Sequence, residues 1–138
     1  MKRFIVSIIL VLLMVSSSYA EEINIEDKGL IIEPYFSNIY TFHTYFNIDG
    51  NGKAMLSTSL DGHSGDNSKI VAILQRYSDG RWISIKSFSS TSSTSDCSMS
   101  KNYYVAKGYS YRVLFNGYIY SGQTQLDYTN QISSLRIY

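Results

Sequence analysis

Asn47-Ile48-Asp49-Gly50-Asn51-Gly52 carries the [DN]-x-D-x-N-G spacing of a calcium loop. Calcium takes roughly six to eight oxygens, and alternating Asp and Asn side chains around a Gly-allowed turn can converge on one ion. Asn47, Asp49 and Asn51 are therefore the metal candidates. The run holds a single carboxylate, and Thr58 stands where a calcium loop closes with a bidentate Glu. A plain hairpin turn accounts for the same residues, so neither a metal nor another cofactor is expected. A second polar run, residues 61–67, gathers Asp61, His63 and Asp66, and the other histidine is His43. No two of these have the spacing of a zinc ligand pair, and solvated loop residues explain them.

Hydrolytic chemistry has no better footing. Serines are plentiful, but the chain has no G-x-S-x-G elbow, and a triad is recognised by geometry rather than by residue supply. The last glutamate is Glu33, so a glycosidase pair would have to come from loop aspartates. No catalytic residue is assigned, and the chain is read as a non-enzyme. Cys97 is the single cysteine and cannot form an internal bridge. It reads as a small apolar residue in a strand, the sharper alternatives being an intermolecular disulfide or a nucleophile.

The aromatic surplus points further. Among 138 residues there are 13 Tyr, 6 Phe and 1 Trp, whereas charged residues make up only 17%. Strand alternation cannot bury every tyrosine, so Tyr35, Tyr40, Tyr77, Tyr118, Tyr120 and Tyr128 are expected on a sheet face or in loops. An exposed Tyr offers wide contact area, little entropy loss and a polar tip, which suits sugars or protein partners. Tyr serving simply as a strand former explains the surplus equally well. A formal charge of +1, with basic residues scattered between the aromatics, argues against a nucleic-acid partner.

The elements that would position these residues begin with an export signal. Lys2 and Arg3 precede an apolar run, Phe4 to Val15, and Ser18 and Ala20 occupy the small-residue positions of a cleavage site. The run is shorter than the roughly 20 residues that cross a bilayer. Residues 1–20 are read as a signal helix cleaved after Ala20, and the protein as secreted and extracellular. With no cysteine directly after the cut and no second apolar stretch, no stable membrane anchor is expected. Losing Lys2 and Arg3 turns the formal charge from +1 to −1. Residues 21–36 form a lead-in arm with an apolar patch at Leu30-Ile31-Ile32, and residues 37–138 a single domain.

Within that domain the period is two. Ile39 to Ile48 is rich in strand formers, and Asp49 to Gly52 supplies a hairpin turn. Ala54, Leu56, Thr58 and Leu60 alternate with Met55, Ser57 and Ser59. Ile70 to Leu74 is continuously apolar, the mark of a central strand covered on both faces. Ser78-Asp79-Gly80 turns that strand into Trp82 to Ile85. Ser89 to Ser95, all Ser and Thr, is either a loop or an edge strand. Tyr109 to Phe115 has apolar or aromatic residues at every odd position, and a last strand is expected around Ile132 to Ile137. About seven short strands without a helical stripe predict an all-β, antiparallel sandwich of immunoglobulin/fibronectin type.

Tyr104 to Val113 narrows the choice, because a tyrosine at such a strand entrance can bond its hydroxyl to backbone a few residues upstream. Tyr109 or Tyr111 can fill that role beside the turn at Gly108, with Trp82 in the core or at its rim. The order of Asn51-Gly52-Lys53-Ala54, Ile70 to Gln75, Asp79-Gly80-Arg81-Trp82 and Val105 to Val113 behind an export signal resembles a family of small secreted proteins of Gram-positive bacteria. The resemblance runs from about Ile32 to the C-terminus. That family is uncharacterised, so the resemblance implies export and a β-sandwich and no functional residue. The expected function is binding without catalysis, to a cell-envelope polymer, a carbohydrate or a protein. The alternative is a small exported effector or antimicrobial protein acting on other cells.

Overall fold

Strict alternation of buried and open side chains organises the three inner strands of this protein, Lys53–Gly62, Asn67–Ser78 and Ser110–Ser121. A computed structural model describes residues 38–138. Residues 1–20 and 21–36, expected from the sequence to be a signal segment and an arm, lie outside the described residues, as does Tyr35. The strands are β1 (Ile39–Ile48), β2 (Lys53–Gly62), β3 (Asn67–Ser78), β4 (Arg81–Ser92), β5 (Cys97–Tyr104), β6 (Ser110–Ser121), β7 (Thr124–Ile132) and β8 (Arg136–Ile137). They form two antiparallel sheets, β1-β2-β5 and β4-β3-β6-β7, with β8 pairing β6 beyond the end of β7. This is an immunoglobulin/fibronectin-like sandwich in which the fourth strand lies beside the third instead of beside the fifth. Among the described residues no helix is long and apolar enough to cross a membrane.

The core lies between the sheets. On β2, Ala54, Leu56, Thr58 and Leu60 are buried, and on β6, Tyr111, Val113, Phe115 and Ile119 face them. Gly117 sits in the same inward series, where a Cβ would come within 3.0 Å of the Phe42 ring. Cys97 is a buried member of this core at the start of β5. Side chains stitch the two sheets together at both margins. The backbone N–H groups of Asn38 and Ile39 donate to Asp127 Oδ2 at 2.9 and 3.1 Å, and Ser68 Oγ donates to the Thr94 carbonyl at 2.8 Å.

Two local expectations need correction, and a third, left open between loop and edge strand, is divided between them. β3 is central, between β4 and β6, but it is not covered on both faces. Ile70, Ala72 and Leu74 are fully buried while Val71 and Ile73 are only half-buried, because a two-layer sandwich has one inner face per sheet. The last long strand is Thr124–Ile132, with Arg136–Ile137 adding only a short pairing. Its edge position leaves Thr129 as its one buried residue, so it lacks the apolar signature that marks an inner strand. The Ser/Thr run divides: Ser89 to Ser92 complete the edge strand β4, and residues 93–95 turn into β5.

The turns follow their glycines. Asp79 at φ +52° and Gly80 at φ +77° make a two-residue hairpin of the type whose twist matches its strands. Between β1 and β2, Gly52 alone is left-handed, at φ +81°, and its N–H donates to the Asp49 carbonyl at 3.1 Å. At the mouth of β6, Tyr111 Oη donates to the Ala106 carbonyl at 2.5 Å. Tyr109 instead lies under the Arg76 guanidinium, 4.4 Å from its ring centroid, and Gly108 turns the chain at φ +93°.

Candidate functional site

Most of the aspartates accept hydrogen bonds from backbone N–H groups. Asp49 Oδ1 accepts from the N–H groups of Asn51 and Lys53 at 2.9 and 3.0 Å, which closes the turn from inside. Those two N–H bonds hold its carboxyl below the ordinary value of 3.8. Asp61 accepts from Thr41 Oγ1 at 2.5 Å, Asp66 from the Gly122 N–H at 2.9 Å, and Asp96 from the Gly62 N–H at 3.1 Å. His63 packs beside Tyr40, ring centroids 5.0 Å apart, while His43 points outward from β1 opposite Ser59. Among the described residues no three His, Cys, Asp or Glu side chains converge as metal ligands.

The hydrogen-bonded turn at Asp49 yields a prediction. The stability drawn from this carboxylate is present above its ordinary pKa and is lost as pH falls through the lowered one. The Asp49 carboxyl carbon, followed by NMR, should titrate below 3.8. Calcium at about 1 mM, the range of extracellular calcium modules, should leave that curve in place. A calcium-induced shift of Asn47, Asp49 and Asn51 together would instead make the turn a metal site.

The tyrosines divide into three groups. Tyr118 on β6 stands opposite Tyr128 on β7, ring centroids 5.1 Å apart, and Tyr120 stacks beside Tyr118 at 6.3 Å. All three lie on the outer face of the five-stranded sheet. Burial, and then the neighbouring Tyr128 and Tyr120, raises the Tyr118 hydroxyl above its ordinary 10.0. Tyr77 lies at the other end of the same face against Trp82, ring centroids 5.2 Å apart. Trp82 is half-buried there on edge strand β4, outside the core between the sheets. Tyr40 stands apart on β1 and is 69% exposed.

Next to the Tyr118–Tyr128 pair is a depression of about 270 Å³ between β6 and β7, lined by Leu114, Asn116, Tyr128, Asn130 and Ile132 among others. A relay of hydrogen bonds crosses its wall. Asn130 Nδ2 donates to Tyr128 Oη at 3.0 Å, and that hydroxyl donates to Asn116 Oδ1 at 3.0 Å. The relay orients the Tyr128 ring and leaves Asn116 Nδ2 as a donor and Asn130 Oδ1 as an acceptor. An apolar floor, a ring wall and an amide of each sense suit a flat, hydroxylated ligand.

The even positions of β6 run Arg112, Leu114, Asn116, Tyr118 and Tyr120, all on one side. Reading the outward series with the same care as the inward one would have found Arg112, Asn116 and, through pairing, Asn130. On the opposite sheet a shallower depression of about 400 Å³ is lined by His43, Tyr45, Ser57, Ser59, Ser98 and Ser100 among others. Among the described residues the His43 imidazole makes no hydrogen bond to the serines that line the depression.

The fold and this face define an all-β sandwich with an aromatic, amide-bearing outer surface on its larger sheet. No family model, no curated protein and no solved structure matches the chain.

Proposed function

We propose that this is an exported, non-catalytic binding protein that holds a saccharide unit of the cell envelope in the depression between β6 and β7. The observation that carries the reading is the Asn130–Tyr128–Asn116 relay at the edge of a stacked tyrosine group. A pyranose ring presents an apolar face to an aromatic side chain and hydroxyls to amides, which is the chemistry this wall offers. The signal-like residues 1–20 and the resemblance to small secreted proteins of Gram-positive bacteria support the extracellular setting. Intact mass of the protein recovered from the medium should correspond to a chain that starts at Glu21.

The binding test is retention on purified peptidoglycan and on a glycan array. Tyr128→Ala should weaken retention about tenfold, the loss of one aromatic contact and its hydrogen bonds. Tyr40→Ala, on the other sheet, should leave it unchanged. Clean failure on both surfaces, or equal loss from both substitutions, would overturn the reading.

A further inference from the structure

We propose that Arg112 forms an anion subsite beside the depression, so that the face selects a polymer bearing carboxylate or phosphate groups. The inference rests on the binding reading above and specifies its ligand class. Arg112 lies two residues before Leu114 on β6, about 7 Å along the strand from the depression that Leu114 lines. That separation suits neighbouring units of one chain-like ligand.

The guanidinium is held in place before any ligand arrives. Its carbon lies 4.2 Å from the centroid of the Trp82 ring, and its Nε donates to Gln75 Oε1 at 2.9 Å. Gln75 is the cross-strand partner of Arg112, and Trp82 is that of Tyr77, so paired strands set the geometry. Among the described residues the two terminal nitrogens of Arg112 have no hydrogen-bond partner. A fork of free N–H groups on a fixed plane matches a carboxylate or phosphate edge. Because the side chain is already ordered, little entropy is lost on binding.

The charge around it points the same way. Lys69 shares the outer face, three cross-strand rows from Gln75, while no strand position on that face holds an aspartate. The carboxylates of Asp49, Asp61, Asp66, Asp96 and Asp127 are engaged by backbone N–H or hydroxyl donors at turns and sheet margins, and Asp79, in the turn between β3 and β4, makes no ion pair with Arg112 among the described residues. Arg112 therefore faces solvent chemistry with an aromatic partner in place of a counter-ion. An anion brought to it displaces no internal salt bridge.

The test uses the exported protein and three soluble polymers of matched length: polygalacturonate, poly(glycerol phosphate) and neutral dextran. Binding is expected to at least one of the two anionic polymers, and which one is bound distinguishes carboxylate from phosphate. Arg112→Gln should weaken it about tenfold with an unchanged melting curve, and Arg112→Lys should recover only part, since it keeps the charge without the fork. Raising the salt should weaken the wild-type protein more than Arg112→Gln. The inference fails if neither anionic polymer binds, if dextran binds as well, or if Arg112→Gln binds like the wild type. Retention on neutral glycans that Tyr128→Ala abolishes and Arg112→Gln leaves alone would keep the binding reading and remove only the anion subsite. No retention of any kind would remove both.

Discussion

Leu74→Ala is expected to destabilise the domain by about 2–5 kcal/mol, whereas Ile73→Ala, one residue away, should cost under about 1 kcal/mol. Leu74 is 0% exposed and belongs to the cluster between the sheets, so its loss leaves a cavity that close-packed neighbours cannot fill. Ile73 occupies the outer face opposite Ser87 and Leu114 and is only half-buried, so water reaches the space that its missing methyl groups leave. Urea unfolding of both variants, read as a shift in midpoint at constant slope, makes the comparison. Equal costs would mean that the outer face of β3 is covered in solution, which is what the continuous apolar run first suggested.

Tyr111→Ala should be comparably damaging, at about 3–5 kcal/mol, and Tyr111→Phe should restore all but about 1–2 kcal/mol of that. The ring is fully buried and accounts for the larger part. The remainder is the hydroxyl, which donates to Ala106 and fixes the approach to β6. In Tyr111→Phe the Ala106 carbonyl loses its donor in a part-buried bond, and because Ala106 itself is exposed, water replaces part of what is lost. Burial raises the Tyr111 hydroxyl above its ordinary 10.0, outweighing the opposing influence of Arg76. The unfolded chain then ionises first, so stability present below about pH 10 is lost as pH rises from there toward the folded value. Tyr111→Phe should flatten that alkaline decline, as followed by tyrosinate absorbance and unfolding midpoint. A decline of the same steepness in the variant would assign it to another group.

These two positions also show how far local pattern reaches. Tyr111 and Leu74 sit in inward series that are legible from alternation, because burying one face of a pleated strand places apolar residues at every second position. Ile73 looked identical to Leu74 in sequence, since a run of apolar residues does not say which of them meets another layer. β7 was harder still. An edge strand with a single buried side chain carries almost no periodic signal, and its polar residues read as a loop until β6 is there to pair with them.

The candidate face was legible only in pieces. Tyr118, Tyr120 and Tyr128 stood out by residue type, and Asp49 was weighed as a ligand and as a turn residue. Arg112 and Asn116 are legible only as outward positions of β6, and Asn130 only through its pairing with Asn116. The relay that joins Asn116 to Asn130 through Tyr128 exists because antiparallel pairing sets Asn116 against Asn130 and Tyr118 against Tyr128. Gln75 and Trp82 reach Arg112 for the same reason, from two strands on one side of β6.

Composition, turn glycines and a period of two determined by themselves that the runs around 39–48, 54–60, 70–74, 82–85 and 109–115 are strands of an all-β domain. Those properties are local, since each depends on residues a few positions apart. Which face of β3 is dry, which strand lies at the edge, and which tyrosines meet were decided only by the tertiary structure. They depend on pairings between residues 9 to 89 positions apart in sequence, as between Gln75 and Ser84 or Asn38 and Asp127. Such contacts form only when two sheets close on one core, and the side chains left outside become the surface available for binding.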